Sequence, residues 1–315
     1  MLGYRFTLLK KCEKTYNGLF GEKYIGKNNL TNEIVFIKIQ KKGDPYNTIK
    51  NEAIIYTQLK GQVGFAKLKY YGTFEENEYI VLSLLGKTLT QIKNETKNSL
   101  SLRSCMTIGI QLLQRIEKLH SLNFIHRDIK PDNILLGNPD DEENKNTIYL
   151  IDFGFCKRFY YQDYKDDIKN SKTLLSSPQP QQQEQSIGII GTPNFASLNI
   201  LNRGGGIYTP KDDIESFVNV LLYCFLSDAE WKFIRPVKKN GQLDTKLIPQ
   251  NIQMLYENLS LPVVFLDLLK YCWNEKHTKP HQEGIDYDYI YNLLTQNINS
   301  NLSTNDLIIE ENKQL

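Results

Sequence analysis

The sequence predicts an α+β fold in two lobes: a small β-rich N-lobe with one helix over residues 1–85, and a larger helical C-lobe over residues 86–298. Three observations carry that expectation. Short β-branched or aromatic runs bounded by Gly and Asn crowd the first 85 residues, the apolar period becomes helical from Ser101 onward, and residues 213–226 are apolar nearly all round.

Residues 4–9, 34–39 and 79–84 read as strands of one small sheet. Between them, the segment 48–59 sets Ile54, Ile55 and Leu59 at helical spacing with Glu52 near its start, which gives a single helix on that sheet. Leu102, Met106, Leu112, Leu113, Ile116 and Leu119 then make the apolar stripe of a long helix that ends before His126. A helix apolar on every side, as over 213–226, is expected at the centre of the larger lobe. Segments 137–147 and 162–186 contain too few apolar residues to offset the entropy of ordering them, so both read as insertions and are expected to be mobile loops, the second between Asp152-Phe153-Gly154 and Gly191-Thr192. Residues 299–315 read as a polar tail.

At 315 residues and 40% hydrophobic, the chain is long enough to bury a full core. Its formal charge of +2 comes from nearly balanced acids and bases, so no bulk field draws it to nucleic acid or an anionic membrane, and neither is an expected partner. The cysteines (Cys12, Cys105, Cys156, Cys224, Cys272) contain no C-x-x-C pair, which argues against a zinc site or a disulfide framework and favours a cytoplasmic or nuclear setting. The most apolar stretch, 217–226, is too short to span a bilayer, and the first residues show no signal-peptide core. A soluble monomer is expected.

The chemistry concentrates in two runs. His126-Arg127-Asp128-Ile129-Lys130-Pro131-Asp132-Asn133 is followed, 24 residues after Asp128, by Asp152-Phe153-Gly154. Phosphoryl transfer asks a protein mainly to position reactants and neutralise charge: an acid to orient the attacking hydroxyl, and oxygen ligands for magnesium. Asp128 suits the first task, Asn133 and Asp152 the second, and Lys130 would balance charge on the moving phosphoryl. Upstream, Lys38 lies in a strand whose alternation would project its amine toward nucleotide phosphates, with Glu52 as its ion-pair partner. Each residue has an ordinary role available, such as a snorkelling lysine or a turn-capping aspartate. The ordered set is what makes the reading specific.

These motifs resemble those of the eukaryotic protein kinase superfamily over about residues 4–298, and Lys130-Pro131 resembles its Ser/Thr branch. The chain is most similar to the casein kinase I family. Leu84-Leu85-Gly86-Lys87-Thr88-Leu89, Leu150-Ile151-Asp152-Phe153-Gly154-Phe155-Cys156-Lys157, Ala196-Ser197-Leu198-Asn199 and Asp212-Asp213-Ile214-Glu215-Ser216 carry that likeness. The resemblance implies the bilobal protein-kinase fold, ATP and Mg²⁺ as cofactors, and protein Ser/Thr hydroxyls, in an acidic or pre-phosphorylated context, as substrates. It also implies that Leu82 is the gatekeeper of an adenine pocket and that Ser83, Leu84 and Leu85 form its hinge. Thr192 would bond the Asp128/Lys130 pair, and Asp213 would brace the catalytic loop.

Some positions depart from the family pattern. In the phosphate-covering loop Gly18 and Gly21 allow close backbone approach, but Tyr16 replaces a glycine. Lys23 stands where a small apolar residue roofs the adenine, and Phe36 where the family has alanine. Asn194 replaces an arginine that receives acidic substrates, with Lys211 and the cluster Lys232, Arg235, Lys238 and Lys239 as basic substitutes. The leading expectation is a Ser/Thr protein kinase of casein kinase I type. The alternative is a nucleotide-binding pseudokinase or weak kinase that serves as a scaffold, while a small-molecule kinase is disfavoured by the segment from Gly191 to Asn199.

Overall fold

The structure, a computed structural model, describes residues 2, 4–12, 21–45, 47–96, 99–159, 188–258, 261–273 and 284–298. Two compact units divide the chain: one holds 1–88 and 132–156, the other 89–131 and 157–315. The loop residues Tyr16 and Gly18, the insertion at 162–186 and the tail at 299–315 lie outside the described residues.

The first unit is built on five antiparallel strands: β1 Phe6–Lys11, β2 Glu22–Asn28, β3 Ile34–Lys41, β4 Leu68–Phe74 and β5 Asn77–Ser83, in the order β1-β2-β3-β5-β4. Strand alternation sorts their side chains onto two faces. Val35, Ile37, Ile39, Tyr79 and Val81 turn one way and join Phe6 and Leu2 in a buried cluster. Lys38, Phe36, Ile80 and Leu82 turn the other way, since Lys38 pairs with Ile80 and Phe36 with Leu82. Helix α1, Ile49–Gln58, packs against β3, β4 and β5 and buries Ile49, Glu52, Ala53, Ile55 and Tyr56. Of the residues that suggested this helix, Ile55 and Leu59 are buried, whereas Ile54 is half exposed.

The sequence suggests three strands here; the structure has five. Strands β2 and β4 escape notice because Glu22, Lys23, Lys27 and Lys69 interrupt their apolar pattern. The division into lobes also differs from a cut at 85/86. Strands β7, Ile134–Leu136, and β8, Ile148–Leu150, form a hairpin that returns to the first unit. Backbone bonds join Gly86 N–H to Leu136 O and Leu136 N–H to Lys87 O, while Leu150 N–H reaches Gly64 O. The acidic segment 137–147, expected to be mobile, closes this hairpin with its own turn bonds, among them Lys145 N–H to Asp141 O and Gly137 N–H to Thr147 O.

The second unit is helical among its described residues: α2 Leu89–Glu95, α3 Leu102–Ser121, α4 Leu198–Arg203, α5 Pro210–Phe225, α6 Asp228–Ile234, α7 Leu247–Glu257, α8 Val263–Trp273 and α9 Tyr287–Ile298. Ser101 starts α3 by accepting the Ser104 N–H, and Pro210 stands in the first turn of α5, where its missing N–H costs nothing. Met106, Leu112, Leu113, Ile116 and Leu119 of α3 are fully buried, as are Phe217, Val218, Val220, Leu221 and Leu222 of α5. Helix α5 is the centre that its apolar sequence predicts, with α3 and α8 packed on it and α9 on α3. Short strands β6, Phe124–Ile125, and β9, Lys157–Arg158, pair beside the His126 loop. No described helix is long and apolar enough to cross a membrane.

Candidate active site

The first unit gathers Lys38, Glu52 and Asp152. Strand alternation aims Lys38 away from the Ile37 cluster and toward α1, where its Nζ is ion-paired with Glu52 and lies 3.0 Å from Asp152 Oδ1. Both members of the Lys38–Glu52 pair are buried, at 3% and 2% side-chain exposure. Burial alone would depress the lysine pKa, but the Asp152 and Glu52 carboxylates outweigh it, so the ammonium stays charged. Burial pushes Glu52 above the ordinary carboxylate value against the pull of Lys38, and Thr48 Oγ1 donates to it at 3.0 Å.

Asp152 itself adopts a left-handed backbone, φ +66, a region that Asp tolerates better than most residues. The next residue, Phe153, is fully buried, with its ring 4.8 Å from Tyr56 and 6.0 Å from Phe65. Asn51 of α1 donates to the backbone carbonyls of Phe153, Gly154 and Cys156. Asp152 is therefore fixed by packing on one side and ion pairs on the other. Asn133 precedes β7 and accepts the Ile151 N–H at 3.0 Å, which brings its backbone beside that of Asp152.

On the same face of the sheet, Leu82 is buried and Ser83 ends β5, exchanging backbone and side-chain bonds with Lys67. Leu84 and Leu85 follow outside any strand or helix. Gly21, just before β2, has φ +78, and a Cβ there would meet Ile39 O at 2.2 Å; no other residue fits.

The second unit gathers Asp128, Lys130 and Thr192. Lys130 Nζ lies 2.8 Å from Asp128 Oδ2 and donates to Thr192 Oγ1 at 2.9 Å, while Thr192 Oγ1 donates to Asp128 Oδ1 at 2.8 Å. The three side chains close a ring. Gly191 makes the approach feasible: its φ is +88, and a Cβ would stand 2.3 Å from Arg127 O. Helix α5 holds the loop's backbone through Asp213, which accepts the His126 N–H at 2.6 Å and the Arg127 N–H at 2.9 Å, with Arg127 at φ +67. Burial pushes the Asp213 pKa up, but bonds and charge from His120 and His126 hold it below 3.8.

Sequence reasoning missed part of this support. His120, in the last turn of α3, places Nε2 2.9 Å from Asp213 Oδ2 and Nδ1 2.5 Å from the Tyr287 hydroxyl. Its spacing one turn before the loop was the available signal. The segment Ala196-Ser197-Leu198-Asn199 is tied to α5. Ser197 Oγ and Asn199 Nδ2 donate to Asp212 Oδ1 at 2.5 and 3.2 Å, and Glu215 Oε1 accepts from the Leu198 N–H and Trp273 Nε1. One expectation is corrected. Arg235 is not part of a basic surface: it is buried, with its guanidinium 5.6 Å from the Trp231 ring, and burial lowers its pKa to about 10 against the pull of Glu215. Lys232, Lys238 and Lys239 are exposed; Lys211 is half-buried near Glu215 and Asp212.

A five-stranded antiparallel sheet carrying one helix, and a larger part built round a buried central helix, make an α+β bilobal fold. A family model described as Protein kinase domain matches residues 10–279, most of the chain. The chain belongs to the protein kinase domain family. Kinases of this family work on protein substrates with ATP and Mg²⁺.

The donor chemistry suits that metal. Among the described residues no group of three or more His, Cys, Asp or Glu forms a cage, and Mg²⁺ in a nucleotide site takes only one or two protein oxygens, the rest coming from phosphate and water. The Asp152 carboxylate and the Asn133 side-chain oxygen are hard ligands of that kind.

Proposed function

We propose that the chain is a serine/threonine protein kinase of casein kinase I type, transferring the γ-phosphoryl group of ATP to protein hydroxyls. The observation that carries this reading is the closed ring of Asp128, Lys130 and Thr192. A carboxylate held by an ammonium and a hydroxyl keeps one oxygen edge oriented toward an incoming alcohol, which is what alignment of the nucleophile requires. Asp128 orients the acceptor hydroxyl and takes its proton; Lys130 offsets charge developing on the transferring group. Lys38, kept charged by Glu52, holds nucleotide phosphate, and Asn133 with Asp152 would hold Mg²⁺, which screens the phosphate oxygens when bound. The backbone of Ser83, Leu84 and Leu85, beside Leu82, would receive the adenine, and Gly21 would allow the covering loop to approach phosphate. The tie of Ser197 and Asn199 to Asp212 supports the casein kinase I assignment.

Radiolabelled ATP with Mg²⁺, casein and an acidic peptide library test this, with Asp128→Asn as control and phosphoamino-acid analysis of the product. Label on Ser or Thr that the control loses is the expected result. Label on Tyr would move the chain to another branch. A second reading, a nucleotide-binding scaffold with little transfer, draws on Phe36, whose half-buried ring shares the sheet face of Lys38 and Leu82. Nucleotide binding without label in any substrate would favour it.

A further inference from the structure

Lys23 of β2 and Lys38 of β3 are direct register partners, so their side chains leave the sheet on the same face. Opposed like charges on neighbouring strands repel, with Cβ atoms about 5 Å apart. Two carboxylates reconcile them. Lys38 takes Glu52 and Asp152 Oδ1, and Lys23 Nζ stands 3.7 Å from Asp152 Oδ2. The cluster is sealed at one end and open at the other: Lys38 and Glu52 are almost fully enclosed, whereas the side chains of Lys23 and Asp152 are 31% and 23% exposed. Lys23 therefore pairs, at the open edge, with a carboxylate oxygen that a divalent cation would claim. At 3.7 Å that pairing is longer than a hydrogen bond, so the Lys23 ammonium keeps donors for an anion that arrives at the open edge before any divalent cation is bound.

We infer that Lys23 is a second phosphate-binding cation, acting across the strand pair with Lys38, so that this chain holds nucleotide phosphate with reduced dependence on Mg²⁺. The inference rests on the kinase reading. It accounts for a lysine where an apolar residue would otherwise cover the base: cover is exchanged for charge.

Isothermal titration calorimetry of the full chain with ATP and with adenosine, each in EDTA and in Mg²⁺, tests it in the wild type and in Lys23→Met. In EDTA the variant should bind ATP about tenfold more weakly, the scale of one lost charge-assisted contact, with adenosine unchanged. With Mg²⁺ the gap should narrow, and Lys23→Arg should restore ATP binding in EDTA. Lys23→Gln gives the same comparison should the methionine variant fold poorly. Equal ATP affinity in EDTA for wild type and variant, or an equal loss for adenosine, overturns the inference alone. A wild-type chain that binds neither ligand overturns the nucleotide-binding reading with it.

Discussion

The two charged clusters are built on opposite physical plans. In the first unit Lys38 and Glu52 are buried together and hold each other by charge, so that removing Lys38 leaves Glu52 without its cation in a medium that does not solvate it. In the second, Lys130 is 21% exposed, and the loop that carries Asp128 is fixed through backbone N–H groups donated to Asp213. Position there is secured outside the Asp128, Lys130 and Thr192 side chains. The contrast teaches that function and stability should separate in the second unit and remain coupled in the first.

The largest effect expected is that of Asp128→Asn on phosphoryl transfer. Asparagine keeps the size of the side chain but cannot accept the substrate proton, and kcat should fall on the order of 10³-fold, about 4 kcal/mol of barrier. Because Asp213 still braces the loop, stability should change by no more than about 1 kcal/mol in urea unfolding. A destabilisation several times larger would break the comparison, since it would show that the Asp128 ring, and not the brace, holds the loop.

Lys38→Met tests the other plan. Transfer should again be lost, but here the fold should also weaken, by about 3 kcal/mol near pH 7.5, because Glu52 loses its buried partner. The pH dependence identifies the cause. Burial already holds the Glu52 pKa above 4.5, and without Lys38 it rises further. In the window between 4.5 and that raised value the folded chain binds more protons than the unfolded one, so stability falls as pH rises. The deficit of the variant against wild type should therefore shrink as pH is lowered from 7.5 to 5, by about 1 kcal/mol. A deficit independent of pH would mean that an ionised Glu52 is not what the mutation exposes.

How much of this could be read in the chain follows the same division. Features that depend on order along the sequence were legible: the kinase-like runs from His126 to Asn133 and at Asp152, and the buried centre at 213–226. So was the amphipathic stripe of α3. Residues whose role depends on what folds against them were not. His120 and Tyr287 are 167 positions apart and meet only through the packing of α9 on α3. Arg235 reads as one more cation of a basic run, yet its place after α6 turns it inward against Trp231. Strands β2 and β4 were hidden because charged residues break their alternation, and one of those in β2, Lys23, is the residue that reaches Asp152. The local rule is violated at a position with work to do.

The smallest effect expected falls within the first unit and should leave the second untouched. Phe36 pairs with Ile25 on one side and Leu82 on the other, on the face that carries Lys38, and is only half-buried. On the proposed reading, a ring at that place occupies volume that the adenine would use, while the residues proposed to align the acceptor hydroxyl belong to the other unit. Phe36→Ala should therefore lower the KM for ATP a few-fold and leave kcat nearly unchanged, the signature of altered ground-state binding. Steady-state kinetics at saturating protein substrate would measure both constants. An unchanged or raised KM would show that the ring packs against the base and contributes to holding it. A fall in kcat of tenfold or more would show that the ring bears on the chemical step as well.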